Sequence, residues 1–177
     1  MEIYLVRHTE TICEKGVCYG QSDVDIAEPF EENFERIISE LPREAVIFTS
    51  PLKRCAILAK HIQKNNNAIS YQEDDRLKEM NFGDWELKNW DDISPEELNP
   101  WMEDFVNIRA SNGESFTELH ERTRHFLSDE ISKIQQPVII VAHAGIIRSI
   151  ICHQTSLPLK EAFQNKIDFG EIIRIEL

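Results

Sequence analysis

Val138-Ile139-Ile140-Val141-Ala142 contains no polar residue. Side chains in a strand alternate between two faces, so a run that is apolar on both must be covered on both. Ile3-Tyr4-Leu5-Val6 and Val46-Ile47-Phe48 are two further buried strands, and Ile69 to Gln72 is a fourth candidate. The intervening stretches carry helical spacing. Phe30, Phe34, Ile37, Ile38 and Leu41 give one helix, which Pro42 ends. Ser50-Pro51 is expected to open the next as cap and first turn, with Leu52, Cys55, Ala56, Ala59 and Ile62 on its core face and Asn65-Asn66-Asn67 at its end. Phe116 to Ile134 reads as one long amphipathic helix, and Ala144 to Cys152 as another. Lys166–Phe169 and Glu171–Ile175 flank Gly170 and predict a terminal hairpin. Residues 73–112, with prolines, acidic runs and Trp85, Trp90 and Trp101, are expected to be loops with one or two short helices forming a wall. Strands alternating with helices predict an α/β fold, three layers deep with a mostly parallel central sheet. At 177 residues the chain is expected to be a single domain, 1–177.

Thirty-two acidic residues against 19 basic ones give a formal net charge of −13, which argues against a nucleic-acid partner. No apolar run approaches the roughly 20 residues that span a bilayer, and no basic leader precedes an apolar stretch, so no membrane partner is expected. The four cysteines, Cys13, Cys18, Cys55 and Cys152, form no C-x-x-C pair and no disulfide framework, which fits a reducing cytoplasm. Zinc held by Cys13, Cys18, Cys152 and His153 would lack the tight ligand pairs of a structural site, so no metal is expected.

Chemistry concentrates where strands stop. One strand runs into Arg7-His8, another into His143-Ala144-Gly145, and a third feeds Arg54 at the start of a helix. Ligands of open parallel sheets bind beyond the carboxyl ends of the strands, so these four side chains could face one point. Two guanidiniums suit a phosphate dianion, and a histidine among them can attack phosphorus. His61, His120, His125 and His153 fall on helical patterns and read as surface or cap residues.

Leu5-Val6-Arg7-His8-Thr9-Glu10-Thr11 resembles the opening motif of the histidine phosphatase superfamily, in its phosphoglycerate mutase-like branch. The resemblance continues in order through Ser50-Pro51-Leu52-Lys53-Arg54-Cys55-Ala56, Leu77 to Glu86, Gly113-Glu114-Ser115-Phe116 and Val141 to Arg148. It implies that His8 is the nucleophile, that Arg7, Arg54 and His143 clamp the phosphate oxygens, and that Glu79 is the general acid and then the base. It implies no cofactor. Two positions depart from the family pattern. Thr9 replaces a glycine, and its side chain either crowds the phosphate or bonds it. Glu14 replaces a phosphate-holding asparagine and is expected to point away, leaving Gly20 and Gln21 to supply donors.

The loop Gly16 to Val24 is similar to that of α-ribazole phosphatases, and the wall from Glu79 to Gly113 is shorter than in phosphoglycerate mutases. The expected activity is therefore hydrolysis of a small phosphomonoester, α-ribazole 5′-phosphate or its cobamide form, by a monomer or homodimer. Tyr19, Phe82, Trp85, Trp90 and Trp101 are candidates to stack on the substrate ring. The alternatives are a broad sugar-phosphate or nucleotide phosphatase, a mutase, and a non-catalytic phospholigand module. The last predicts loss of His8 or Glu79, and both are present.

Overall fold

The computed structural model describes residues 1–176. Seven strands and five α-helices follow in the order β1 (Glu2–Arg7), β2 (Val17–Cys18), α1 (Glu31–Glu40), β3 (Val46–Thr49), α2 (Lys53–Asn65), β4 (Ser70–Glu73), β5 (Lys88–Asn89), α3 (Pro95–Glu103), α4 (Phe116–Asp129), β6 (Val138–Ala142), α5 (Ala144–Thr155) and β7 (Ile172–Glu176). Five strands form the central sheet in the order β4-β3-β6-β1-β7. All neighbours are parallel except β7, which runs antiparallel to β1 along the edge.

The all-apolar β6 lies at the centre of this sheet, and every one of its residues is buried. Alternation divides its side chains between two cores. Val138, Ile140 and Ala142 pack with Leu119, Phe126, Ile147 and Ile150 of α4 and α5. Ile139 and Val141 pack with Phe34, Ile37, Leu58 and Ile62 of α1 and α2. Helices thus cover both faces, which is the three-layer arrangement the apolar run requires.

Register aligns the strand ends. Arg7 pairs with Ala142, and Thr49 with Val141. The residues that follow, His8, Ser50 and His143, therefore leave the sheet side by side.

Three local expectations need correction. The helix after β3 begins at Lys53, with Leu52 as its cap residue and no side-chain cap bond. Ser50 lies outside it because its hydroxyl is occupied by the Leu52 N–H and by His143. The long helix stops at Asp129 and continues as a 3₁₀ turn, Ile131–Lys133. That tighter turn keeps Ile131 buried and Ile134 against the core, so the periodicity conceals the break. Finally, among the described residues there is no terminal hairpin. Residues 165–171 form an irregular strap whose polar groups serve the site: Arg7 donates to the Ile167 carbonyl, and the Gly170 N–H to the His8 carbonyl. Only Ile172–Glu176 is a strand, and its partner is β1.

Residues 73–112 form the expected wall, built from 3₁₀ turns and α3. It is fastened to the loop after β1 by the two-residue ladder between β2 and β5.

Candidate active site

His8 follows β1 and continues its ladder, donating its N–H to the Ala142 carbonyl at 3.2 Å. The side chain is buried, and its Nδ1 lies 2.7 Å from the Thr9 carbonyl oxygen. A carbonyl only accepts, so Nδ1 carries the proton and the Nε2 lone pair is left free. His143 caps α5 and is fully buried, its ring edge-on to His8 at 5.2 Å between centroids. Arg54 Nε donates to His143 Nδ1 at 3.3 Å, so His143 donates from Nε2 to Ser50 Oγ at 2.8 Å.

Arg54 has 0% exposure and gives its other bonds to backbone carbonyls, Gly20 at 2.6 Å and Ser22 at 2.8 Å. Arg7 donates to the Ile167 carbonyl at 2.6 Å, and its guanidinium lies 3.8 Å from the centre of the Phe169 ring. Its Nε is buried without a partner. Among the described residues neither arginine forms an ion pair. Two guanidiniums of unbalanced charge beside a histidine favour an anion.

Glu79 comes from the wall. One oxygen accepts its neighbour Met80 N–H at 2.9 Å, and the other accepts Gly145 N–H at 3.2 Å in the first turn of α5. A Cβ at Gly145 would collide with that carboxylate, so this close approach requires glycine. The Glu79 carbonyl is clamped by Arg122 at 3.0 Å and by Gln21 Nε2 at 2.9 Å. Arg122 is itself paired with Glu114.

A cavity of about 150 Å³ joins Arg7, His8, Gly20 and Glu79 on one side to Val17, Tyr19, Phe82 and Trp90 on the other. Arg7, His8 and Glu79 thus line one cavity. His143 and Arg54 stand behind His8 rather than lining the cavity, and both ring nitrogens of His143 are engaged. Gln21 directs its backbone N–H to Glu86 and its side chain to the Glu79 carbonyl, so it braces the acid loop. Thr9 is buried beside a different hollow, with Asn33 and Asp168. Glu14 is exposed and lines a neighbouring hollow with Glu10. Of the candidate stacking aromatics, Trp85 and Trp101 are core: they are 1% and 9% exposed and pack on each other at 5.7 Å. A larger cavity of about 430 Å³ beside Leu127, Ile131 and Ile134 opens near Met1, at the start of β1, and holds none of these groups.

Gln21 was expected to donate to phosphate and instead braces the acid loop, and Ser50, Glu86 and the Arg122–Glu114 pair had been given no role in holding the site. Each acts across a long sequence separation, and only Ser50 carried a local signal, which a cap would also produce.

Burial pushes the His8 pKa well below the usual histidine value, and the charge of Arg54 pushes it further. Burial and then Arg54 do the same to His143. Cys18 borders the cavity, but burial first, then Glu86 and Glu79, push its thiol up to about 12, so no thiolate competes as nucleophile. Both histidines are neutral in the fold, whereas in the unfolded chain they protonate near 6.5. Their contribution to stability is complete above that value and is lost as pH falls toward their folded pKa values. Each histidine costs up to about 1.4 kcal/mol per pH unit in that window. Denaturant titrations between pH 7 and 5 are expected to show this loss, and His8→Asn/His143→Asn to flatten it. A wild-type slope equal to that of the double variant would place the protonated forms in the fold.

A buried histidine with a free ring nitrogen, flanked by unpaired arginines at the carboxyl edge of a parallel sheet, defines a phosphoryl-transfer class of site. The chain matches the histidine phosphatase superfamily (branch 1) over residues 3–177. It is 30% identical over 182 residues to the putative phosphoserine phosphatase 2 of Hydrogenobacter thermophilus, covering 99% of this chain and 89% of that one. It is 24% identical over 178 residues to the adenosylcobalamin/alpha-ribazole phosphatase of Escherichia coli, covering 96% and 87%. Among solved structures, the alpha-ribazole phosphatase from Shigella flexneri superposes with a TM-score of 0.88 at 23% identity, over 100% of this chain and 91% of that one. The protein belongs to the histidine phosphatase superfamily and is a phosphoric monoester hydrolase.

Proposed function

We propose that the protein hydrolyses α-ribazole 5′-phosphate, or its cobamide form, through a phosphohistidine on His8 and without a metal. The observation that carries the mechanism is the free Nε2 of a neutral, buried His8 in one cavity with Glu79. The Nε2 lone pair attacks phosphorus, and the bond from phosphorus to the ester oxygen breaks. Glu79 gives that oxygen its proton. Arg7 and Arg54 balance the charge on the phosphoryl oxygens. His143, bonded to Arg54 and held by Ser50, fixes the guanidinium. Water then attacks the phosphohistidine, Glu79 takes its proton, and release of phosphate restores His8.

The substrate reading rests on the apolar side of the cavity, where Val17, Tyr19, Phe82 and Trp90 offer surface to a flat ring, and on the α-ribazole phosphatases among its relatives. A second reading, phosphoserine, is favoured by the relative at 30% identity. A panel of α-ribazole 5′-phosphate, phosphoserine, 3-phosphoglycerate, fructose bisphosphates and AMP decides between them. The first should have the highest kcat/KM, and a clear preference for another ester would replace it. Among the described residues no three His, Cys, Asp or Glu side chains gather where they could hold a metal ion. Activity should therefore survive exhaustive chelation, and vanadate should inhibit competitively. Loss in EDTA that Mg²⁺ or Zn²⁺ restores would overturn the metal-free mechanism. The four cysteines are all unpaired, which supports a cytoplasmic location.

A further inference from the structure

Glu86 lies on the wall beyond Glu79, and the reaction as derived makes no use of it. Its carboxylate nevertheless holds three donors. Oε1 accepts the N–H of Gln21 at 2.9 Å and that of Phe82 at 3.1 Å. Oε2 accepts the hydroxyl of Ser22 at 2.5 Å. The carbonyls of Gly20 and Ser22, on either side of Gln21, are the acceptors that hold the Arg54 guanidinium. Residues 20–22 therefore bridge two charges, with their carbonyls on the buried cation and their donors on the Glu86 anion. A Cβ at Gly20 would strike Glu86 Oε1 and the Met80 carbonyl, so the loop sits against the carboxylate with no room for a side chain. The same loop reaches the acid, because Gln21 Nε2 donates to the Glu79 carbonyl.

We propose that Glu86 is a positioning residue for phosphoryl transfer: by gripping residues 20–22 and Phe82 it sets the distance between Arg54, on the phosphate side, and Glu79, on the leaving-group side. The inference rests on the roles of Arg54 and Glu79 proposed above. Two of the three hydrogen bonds of the buried Arg54 go to these carbonyls, the third to His143 Nδ1, so a shift of residues 20–22 shifts both NH ends of the guanidinium. Loss of the carboxylate leaves the Gln21 and Phe82 N–H groups and the Ser22 hydroxyl without their acceptor, and the loop relaxes. A displacement of about 1 Å in such a constellation can cost on the order of 10²-fold in rate. Glutamine retains the shape. Its amide oxygen can accept both N–H groups and its amide nitrogen can donate to Ser22 Oγ.

The test compares Glu86→Ala, Glu86→Gln and Gln21→Ala with the wild type, each at a temperature where its melting curve shows it folded. Vanadate inhibition reads the Arg54 side. The ratio of pre-steady-state bursts with an alkyl phosphate and with p-nitrophenyl phosphate reads the Glu79 side. Glu86→Ala should weaken vanadate binding by about tenfold or more and slow the alkyl burst more than the aryl burst, as misplacement on this scale predicts. Gln21→Ala should change the burst ratio and leave vanadate binding nearly alone. Glu86→Gln should recover most of what alanine loses. A folded Glu86→Ala with wild-type vanadate affinity and burst ratio would overturn the inference, as would Glu86→Gln as impaired as alanine. If Glu86→Ala does not fold, Ser22→Ala decides, since it removes one bond to the carboxylate. A vanadate shift in the same direction supports the inference, and an unchanged affinity overturns it. Phosphohistidine in the wild type is scored first. Its absence would overturn the mechanism itself, whereas its presence with silent Glu86 variants would overturn only the positioning role.

Discussion

His8→Ala is expected to abolish turnover, with kcat falling by about 10⁴-fold or more, the scale seen when an enzymatic nucleophile is removed. Two features of the imidazole suit the proposed attack. Its Nδ1 proton is committed to the Thr9 carbonyl at 2.7 Å, which leaves Nε2 as the free base. Burial and the neighbouring arginines keep it neutral well below the usual histidine pKa, so the lone pair stays available under mildly acidic conditions. Alanine removes that lone pair and nothing nearby replaces it. Cys18 on the same cavity is held as a thiol, and the ring nitrogens of His143 are bonded to Arg54 and Ser50. His143→Ala and Arg54→Ala keep the nucleophile and should lose less, on the order of 10²–10³-fold, as expected for groups that stabilise charge in the transition state. The decisive measurement is chemical. Enzyme mixed with substrate and quenched in alkali should carry phosphate on His8 and none in the alanine variant. Phosphate on a serine, aspartate or cysteine, or near-normal turnover of His8→Ala, would end this mechanism.

The parts legible in the sequence are those fixed by short-range rules. The apolar run of β6 has one use, the middle of a sheet covered on both faces, and the register that follows brings His8 and His143 together. Arg7 and Glu79 stood in motifs and line the cavity, while Arg54, also in a motif, stands behind it. The missed features depend on contacts that no local pattern encodes. Ser50-Pro51 has the composition of a helix start, yet the hydroxyl serves His143, because the sheet register delivers His143 to it. Lys166–Phe169 and Glu171–Ile175 have the look of a hairpin, but β1 offers the last strand a partner from the other end of the chain. The strap that remains gives the Ile167 carbonyl and the Phe169 ring to Arg7. The tryptophans were ambiguous for another reason: composition marks an aromatic wall without saying which rings face inward. Trp85 and Trp101 pack inside it, while Trp90 and Phe82 reach the cavity.

Glu79→Gln should be damaging in proportion to how poor the leaving group is. An alkoxide departing from a ribose needs a proton in the transition state, and a positioned acid contributes roughly 10²–10⁴-fold there. Nitrophenolate leaves unaided. The geometry makes this substitution a clean probe, because the side chain is held from several directions. The Gly145 and Met80 N–H groups bond its oxygens, and Arg122 and Gln21 hold its carbonyl. Glutamine has the same outline and can keep one of the two carboxylate contacts, so the loop should stay in place while the proton it would deliver is gone. Steady-state rates would hide the contrast, since in the proposed mechanism water attacks the same phosphohistidine whatever alcohol has left, and that step would also use Glu79. The comparison therefore belongs on the burst, where only formation of phosphohistidine is seen. Glu79→Gln should slow the burst strongly with an alkyl phosphate and weakly with p-nitrophenyl phosphate, and should slow breakdown of phosphohistidine equally after both. Equal slowing of the two bursts, or none in either, would remove Glu79 from the role of general acid and send the search for a proton donor to the remaining polar groups of the cavity.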